Sequence, residues 1–163
     1  TLEGMFTSGD GDPTDGKYTS AYTMNFYGLP GAVWFNHKTL LLFPFTNTVS
    51  NYTGAVSDIS NLGFGLGSAI ATASYDIVPN KLNLKVGGAF AQAMATPPPT
   101  PEGVARGRFI GVEVNAELVY QLRYLMNIGL HGGFMKKGNF YEGNPRVTED
   151  PWAAFTTFTW YAF

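Results

Sequence analysis

Apolar and polar positions alternate along most of this chain, and the longest such run is Phe109–Leu122. Its even positions are Ile110, Val112, Val114, Ala116, Leu118 and Tyr120, and its odd positions include Glu113, Asn115, Glu117 and Gln121. Successive side chains of a strand point to opposite faces. The segment therefore predicts a strand with one greasy and one wet face, longer than the roughly 5–6 residues usual in soluble sheets. Lys81–Ala93 repeats the pattern, with Leu82, Leu84, Val86 and Phe90 against Asn83, Lys85 and small residues. Leu62–Ile77 sets Ala69, Ala71, Ala73 and Tyr75 against Thr72, Ser74 and Asp76. Met126–Phe134 sets Ile128, Leu130 and Phe134 against Asn127, His131 and Gly133. Thr1–Ser8 and Trp152–Phe163 complete six predicted strands. In the last, Phe155, Thr157, Thr159, Tyr161 and Phe163 fall on one face, which leaves Phe158 and Trp160 facing inward.

The connections alternate in length. They are long at 9–61, short at Val78–Lys81, long at Met94–Arg108, short at Arg123–Leu125 and long at Lys137–Asp150. Pro79 and Asn80 suit the first tight turn. Greasy and wet faces, strands long enough to cross at a tilt, and turns that are short on one side only are the marks of an up-and-down transmembrane β-barrel. In hydrocarbon every backbone amide needs a partner, so a sheet can span only by closing on itself. Such barrels start at about eight strands. Six strands thus predict either a part of a larger barrel, the preferred reading, or two more strands hidden in 9–61. Lys17–Tyr27 alternates and is a candidate. Ala32–Phe45, with Pro44 and the Leu41, Leu42, Phe43 cluster, reads as a folded loop. The whole chain, 1–163, is expected to be one all-β domain with 9–61 as a long extracellular loop folding over or into the lumen. Thr1–Phe6 reads as the middle of a strand, so polypeptide is expected upstream.

Composition sharpens this picture. Charged residues make up 13% of the 163, about half the roughly 25% of soluble domains. Aromatics reach 15%, with 13 Phe and 9 Tyr, which suits aromatic girdles at two membrane interfaces. The nearest unbroken apolar run, Leu40–Phe45, is far below the roughly 18 residues of a spanning helix. With no cysteine there are no disulfides and no thiolate chemistry. A net charge of -2 gives no electrostatic reason to expect nucleic acid. An aromatic terminus, Tyr161 and Phe163, matches the C-terminal assembly signal of outer-membrane barrels and places that end in the periplasm, in agreement with the pattern of turns.

The segments LEGMFTSGDGDPTDGK at 2–17, LLLFPF at 40–45 and DISNLGFG at 58–65 resemble the C-terminal part of outer-membrane porin-like proteins of the alginate-export type. That resemblance implies a wide monomeric barrel passing hydrophilic solutes or polysaccharide. The family's channel is lined by arginines, whereas Arg106, Arg108, Arg123 and Arg146 here fall in or beside connections.

The predicted lumen-lining set is Lys85, Glu113, Asn115, Glu117, Gln121, Asn127 and His131. Asp10, Asp12 and Asp15 form a calcium candidate, but their spacing misses the alternating ligand positions and closing Glu of an EF-hand. The plainer reading is an acidic extracellular turn near lipopolysaccharide. His37 and His131 lack the i, i+4 partner of a metal site, and no Gly-x-Ser-x-Gly elbow marks a nucleophile, so neither cofactor nor enzymatic activity is expected. Gly63, Gly65 and Gly67 are read as permitting strand curvature or close contact with an inward loop. Pro97, Pro98, Pro99 and Pro101 form a stiff surface segment. The expected role is a passive outer-membrane conduit. Its partners are membrane lipid, lipopolysaccharide and the outer-membrane assembly machinery. The rival is a sleeve barrel enclosing or anchoring a partner protein, and a soluble barrel with its greasy faces inward comes third.

Overall fold

The computed structural model describes residues 1–12, 14–21, 39–42 and 60–161. Six strands, β1 (Leu2–Thr7), β2 (Leu66–Val78), β3 (Leu82–Gln92), β4 (Phe109–Arg123), β5 (Met126–Lys137) and β6 (Trp152–Trp160), form one sheet. Each pairs antiparallel with its neighbours in chain order. The fold is thus an all-β, up-and-down sheet, with a single short 3₁₀ turn at Asn139–Tyr141 as the helical content of the described residues. Among those residues β1 and β6 are edges and the sheet is open. The predicted strand at Lys17–Tyr27 is not formed at 17–21, and its remainder lies outside the described residues, as do His37 and Phe163.

Tight turns at one end and long connections at the other follow from local chemistry. Between β2 and β3, the Lys81 N–H donates to the Val78 carbonyl at 3.0 Å, with Asn80 left-handed at φ 57°. Asparagine tolerates that conformation better than most residues. Leu125, at φ 63°, turns β4 into β5.

Three expectations need correction. β2 begins at Leu66, not Leu62, because Asn61, Leu62, Gly63 and Gly65 all carry positive φ. Those residues make a hydrogen-bonded turn in which the Gly63 and Gly65 N–H groups both donate to the Ser60 carbonyl. At Gly65 a side chain would strike the backbone of Ser8 and Gly9, so the close approach inferred for these glycines is to the end of β1. Second, the even face of β4 does not hold at its start. The register between β3 and β4 slips there, Ala91 pairing with Gly111 and Gln92 with Phe109. This bulge swings Ile110 into the core at 0% exposure and puts Phe109 on the opposite face, stacked on Phe90 with centroids 5.7 Å apart. Third, β6 is turned over relative to the prediction. Phe155, Thr157 and Thr159 pair opposite His131, Gly129 and Asn127, whereas Trp152, Phe158 and Trp160 are exposed. Tyr161 is exposed just past β6, its N–H held by the Leu125 carbonyl at 3.0 Å.

Gly65→Ala combines strained φ with a backbone clash and is expected to destabilise the fold by about 1–3 kcal/mol. Gly11→Ala, where a methyl meets nothing within 4 Å, is expected to leave stability unchanged. Denaturant unfolding of both variants in detergent micelles checks the contrast.

Candidate functional site

The pairing registers sort every strand side chain onto one of two faces, and the two faces have opposite chemistry from those of a soluble sheet. On one side lie Val86, Phe90, Val112, Val114, Tyr120, Ile128, Leu130, Phe134, Trp152, Phe158 and Trp160, all exposed. On the other lie Lys85, Glu113, Asn115, Glu117, Gln121, Asn127 and His131, the whole set read from the sequence as lining, brought together on one face. Val114 is 60% exposed while its neighbours Glu113 and Asn115 are 0% and 7% exposed. A soluble domain buries its apolar face and wets its charges, because a charge taken from water without a partner costs several kcal/mol. Here Glu113 and Glu117 are covered while Val112, Val114 and Phe134 are not.

The exposed face is also banded. Phe6, Phe90, Phe109, Phe134 and Trp152 mark the end with long connections, and Tyr75, Tyr120, Tyr124, Phe158 and Trp160 mark the end with tight turns. Between them are Ala73, Val86, Val114, Ala116, Leu118, Leu130 and Ala154. By register, the charged strand residues on this face are Arg123 and Lys136, at its opposite rims. Trp152 and Trp160, at the two ends of β6, lie about 26 Å apart at roughly 3.3 Å per residue. A tilt of about 40° would reduce this to about 20 Å along a membrane normal, close to the roughly 25 Å apolar band of outer-membrane barrels.

The polar face divides into two regions. Near the tight turns it carries a polar network across four strands. The Lys85 ammonium meets one Glu117 oxygen at 2.7 Å, and His131 Nδ1 meets the other at 2.9 Å. His131 Nε2 lies 2.9 Å from the Thr157 hydroxyl, and the imidazole stacks on Phe155 with centroids 4.8 Å apart. This contact exists because position 129 is glycine, directly opposite Thr157. A Cβ there would collide with both His131 Nε2 and Thr157 Oγ1. Asp76, Asn83 and Ser74 extend the polar surface through hydrogen bonds of 2.7 and 3.0 Å.

Near the long connections the same face is apolar, which the sequence reading missed. Ile70, Ala89, Ala91, Ile110 and Met135 pack with Leu41, Leu42, Leu66 and Phe140. The residues at 39–42 lie across this patch and are fixed by Glu113. Its carboxylate accepts the N–H groups of Leu40, Leu41 and Leu42 at 2.6, 2.9 and 2.7 Å, together with the Asn115 amide at 2.8 Å. Part of 9–61 therefore lies against the polar face, where an inward fold was expected. A cavity of about 580 Å³ adjoins it, lined by Leu41, Met135, Lys137, Tyr141, Arg146 and Trp152.

The connections use their polar groups locally. Asp10, Asp12 and Asp15 each accept the N–H two residues on. Among the described residues no group of three or more His, Cys, Asp or Glu converges as a metal site would require. Thr14 holds the Asp12 carboxyl below its usual range through its hydroxyl and its N–H. Arg106 donates to the Phe140 carbonyl at 2.9 Å and lies 4.9 Å over that ring, and Arg108 reaches the Met94 carbonyl. These two arginines brace loops. Burial pushes the Tyr141 hydroxyl up to about 12, against the opposing pull of Arg106. Asp150 is held below the ordinary carboxylate range by hydrogen bonds from the Lys136 ammonium and the Lys137 N–H. That tie stands above the ordinary carboxylate range and is lost as pH falls through the lowered pKa.

Compared with family models, curated proteins and solved structures, the chain matches none.

Gly129→Ala is expected to drive His131 and Thr157 apart and to cost about 1–2 kcal/mol, the scale of a lost hydrogen bond plus overpacking. Denaturant unfolding checks the magnitude, and the His131 ring resonances in an NMR spectrum of the protein check the lost contact.

Proposed function

We propose that this chain forms wall and constriction of a porin-like β-barrel in the bacterial outer membrane, passing hydrophilic solutes or polysaccharide without residue-level chemistry. The observation that carries this reading is the sheet's inverted dressing: an exposed apolar band between two aromatic rows, over a covered face that holds Lys85, Glu113, Glu117 and His131. Acyl chains are the surroundings that make such a face stable, and a closed barrel is the form in which a sheet survives among them. Closure requires strands beyond the six described, so the barrel proposed is a larger one.

The alternation of tight turns and long connections supports an orientation with the β6 end in the periplasm and the long connections outside. The polar region around Glu117 is the wetted wall. Its charges largely neutralise one another, which favours weak selectivity set by local field. The resemblance to alginate-export-type porins fits this role, and lipid, lipopolysaccharide and the assembly machinery are the partners it requires.

Planar-bilayer recording on the purified full-length protein tests the proposal. Stepwise openings of uniform conductance are expected. A flat baseline over a wide range of protein added would remove the conduit reading. Stoichiometric co-purification of a second polypeptide alongside that flat baseline would favour a sleeve enclosing a partner.

A further inference from the structure

Glu113 is a fully buried carboxylate that plays no part in the polar network lower on the wall. It is instead saturated by four donors, three of them successive backbone N–H groups at 40–42. Successive N–H groups converging on one carboxylate have the arrangement of an anion-binding nest. Hydrogen bonds to an ionised acceptor are roughly twice as strong as neutral ones. The contact joins residues more than seventy positions apart, so the strap is held by the wall and not by its own neighbours in sequence.

The wall is shaped to receive this strap. A Cβ at Gly133 would lie 3.3 Å from the Leu40 Cβ and Cδ1 atoms, so glycine there leaves the room that Leu40 occupies. Leu42 is 0% exposed against the patch of Ile70, Ala89, Ile110 and Met135. If the strap left, Glu113 and the three N–H groups would all find water. If Glu113 alone were lost, the buried N–H groups of Leu41 and Leu42 would lose the carboxylate oxygen they share. The carboxylate thus adds to the apolar packing of Leu41 and Leu42 in holding the strap against the wall.

We propose that Glu113 is the latch of a strap at 39–42 that narrows the passage, and that removing this carboxylate frees the strap and widens it. The inference rests on the conduit reading, and its test keeps the two separate. The chain has no native cysteine, so Leu41→Cys provides a unique probe at a site 8% exposed. A water-soluble maleimide measures whether the strap is docked, and planar-bilayer conductance measures whether docking matters for passage.

Relative to L41C alone, L41C/E113A is expected to label at least about tenfold faster, since loss of even one hydrogen bond to a charged group is worth roughly that factor. E113A is expected to show a larger single-channel conductance, and E113Q an intermediate one. If E113A does not fold, Gly133→Val provides the same readings by displacing Leu40 while leaving the carboxylate in place. Unchanged labelling and unchanged conductance in a conducting protein would overturn the latch and leave the conduit reading intact. Faster labelling with no conductance in any variant, wild type included, would overturn the conduit reading on which the gating role rests.

Discussion

The pleat of a β-strand sends neighbouring side chains to opposite sides, and everything about this protein depends on what stands on each side. Along β4 the backbone is paired on both flanks, so its amides are satisfied by β3 and β5 and impose no demand on solvent. The side chains are what demand a particular surrounding. Val112, Val114 and Tyr120 look outward and unprotected, while Glu113, Asn115 and Glu117 lie covered between them. In water the outward set would draw other apolar surfaces onto itself. Among acyl chains, as proposed, the same set would be at rest, and the aromatic rows at its two ends would fall where headgroups meet hydrocarbon.

The covered side shows how one wall serves two purposes. Towards the tight turns it is a polar network, the Lys85 ion pair with Glu117 and the Glu117 hydrogen bond with His131, held against β6 through Thr157 and Phe155. Such a surface tolerates water and presents little net charge. Towards the long connections it becomes a small apolar core, capped by Leu41 and Leu42 and clasped by Glu113. Glu113 and Glu117 lie four residues apart on one face of one strand, yet one binds side chains of neighbouring strands and the other binds the backbone of a distant segment. The difference arises from what lies above each, not from the strand that carries them.

The strands, their order and the rhythm of their connections were legible because a period of two is written directly in residues such as Val112 to Tyr120. That Lys85, Glu117 and His131 share one side was legible for the same reason: a strand's phase fixes which residues stand together. Phase failed where the register slips. Ile110 belongs to the greasy set by counting but to the core in space, because a bulge adds one residue between Phe109 and Gly111. In β6 both faces carry aromatics, so Phe155 and Phe158 could be exchanged by a single-residue shift without offending any local rule. Pairing with β5 decides the matter, by setting Phe155 opposite His131. The turn at 61–65 was hidden because Leu62 gives no mark of positive φ, although Asn61, Gly63 and Gly65 are residues that tolerate it. The Glu113 clasp was illegible for a deeper reason: its donors are backbone N–H groups, which every residue but proline possesses.

If the proposed barrel is right, the even side of β4 meets hydrocarbon and the odd side does not. Nitroxide labels placed one at a time at 112–120 in vesicles, with collision rates measured against oxygen and against a water-soluble nickel chelate, test it most directly. A two-residue rhythm is expected, in which Val112, Val114, Ala116, Leu118 and Tyr120 favour oxygen, with Val114 and Ala116 the most sheltered from nickel. High nickel accessibility at Val114 and Ala116, or no difference between odd and even positions, would contradict it.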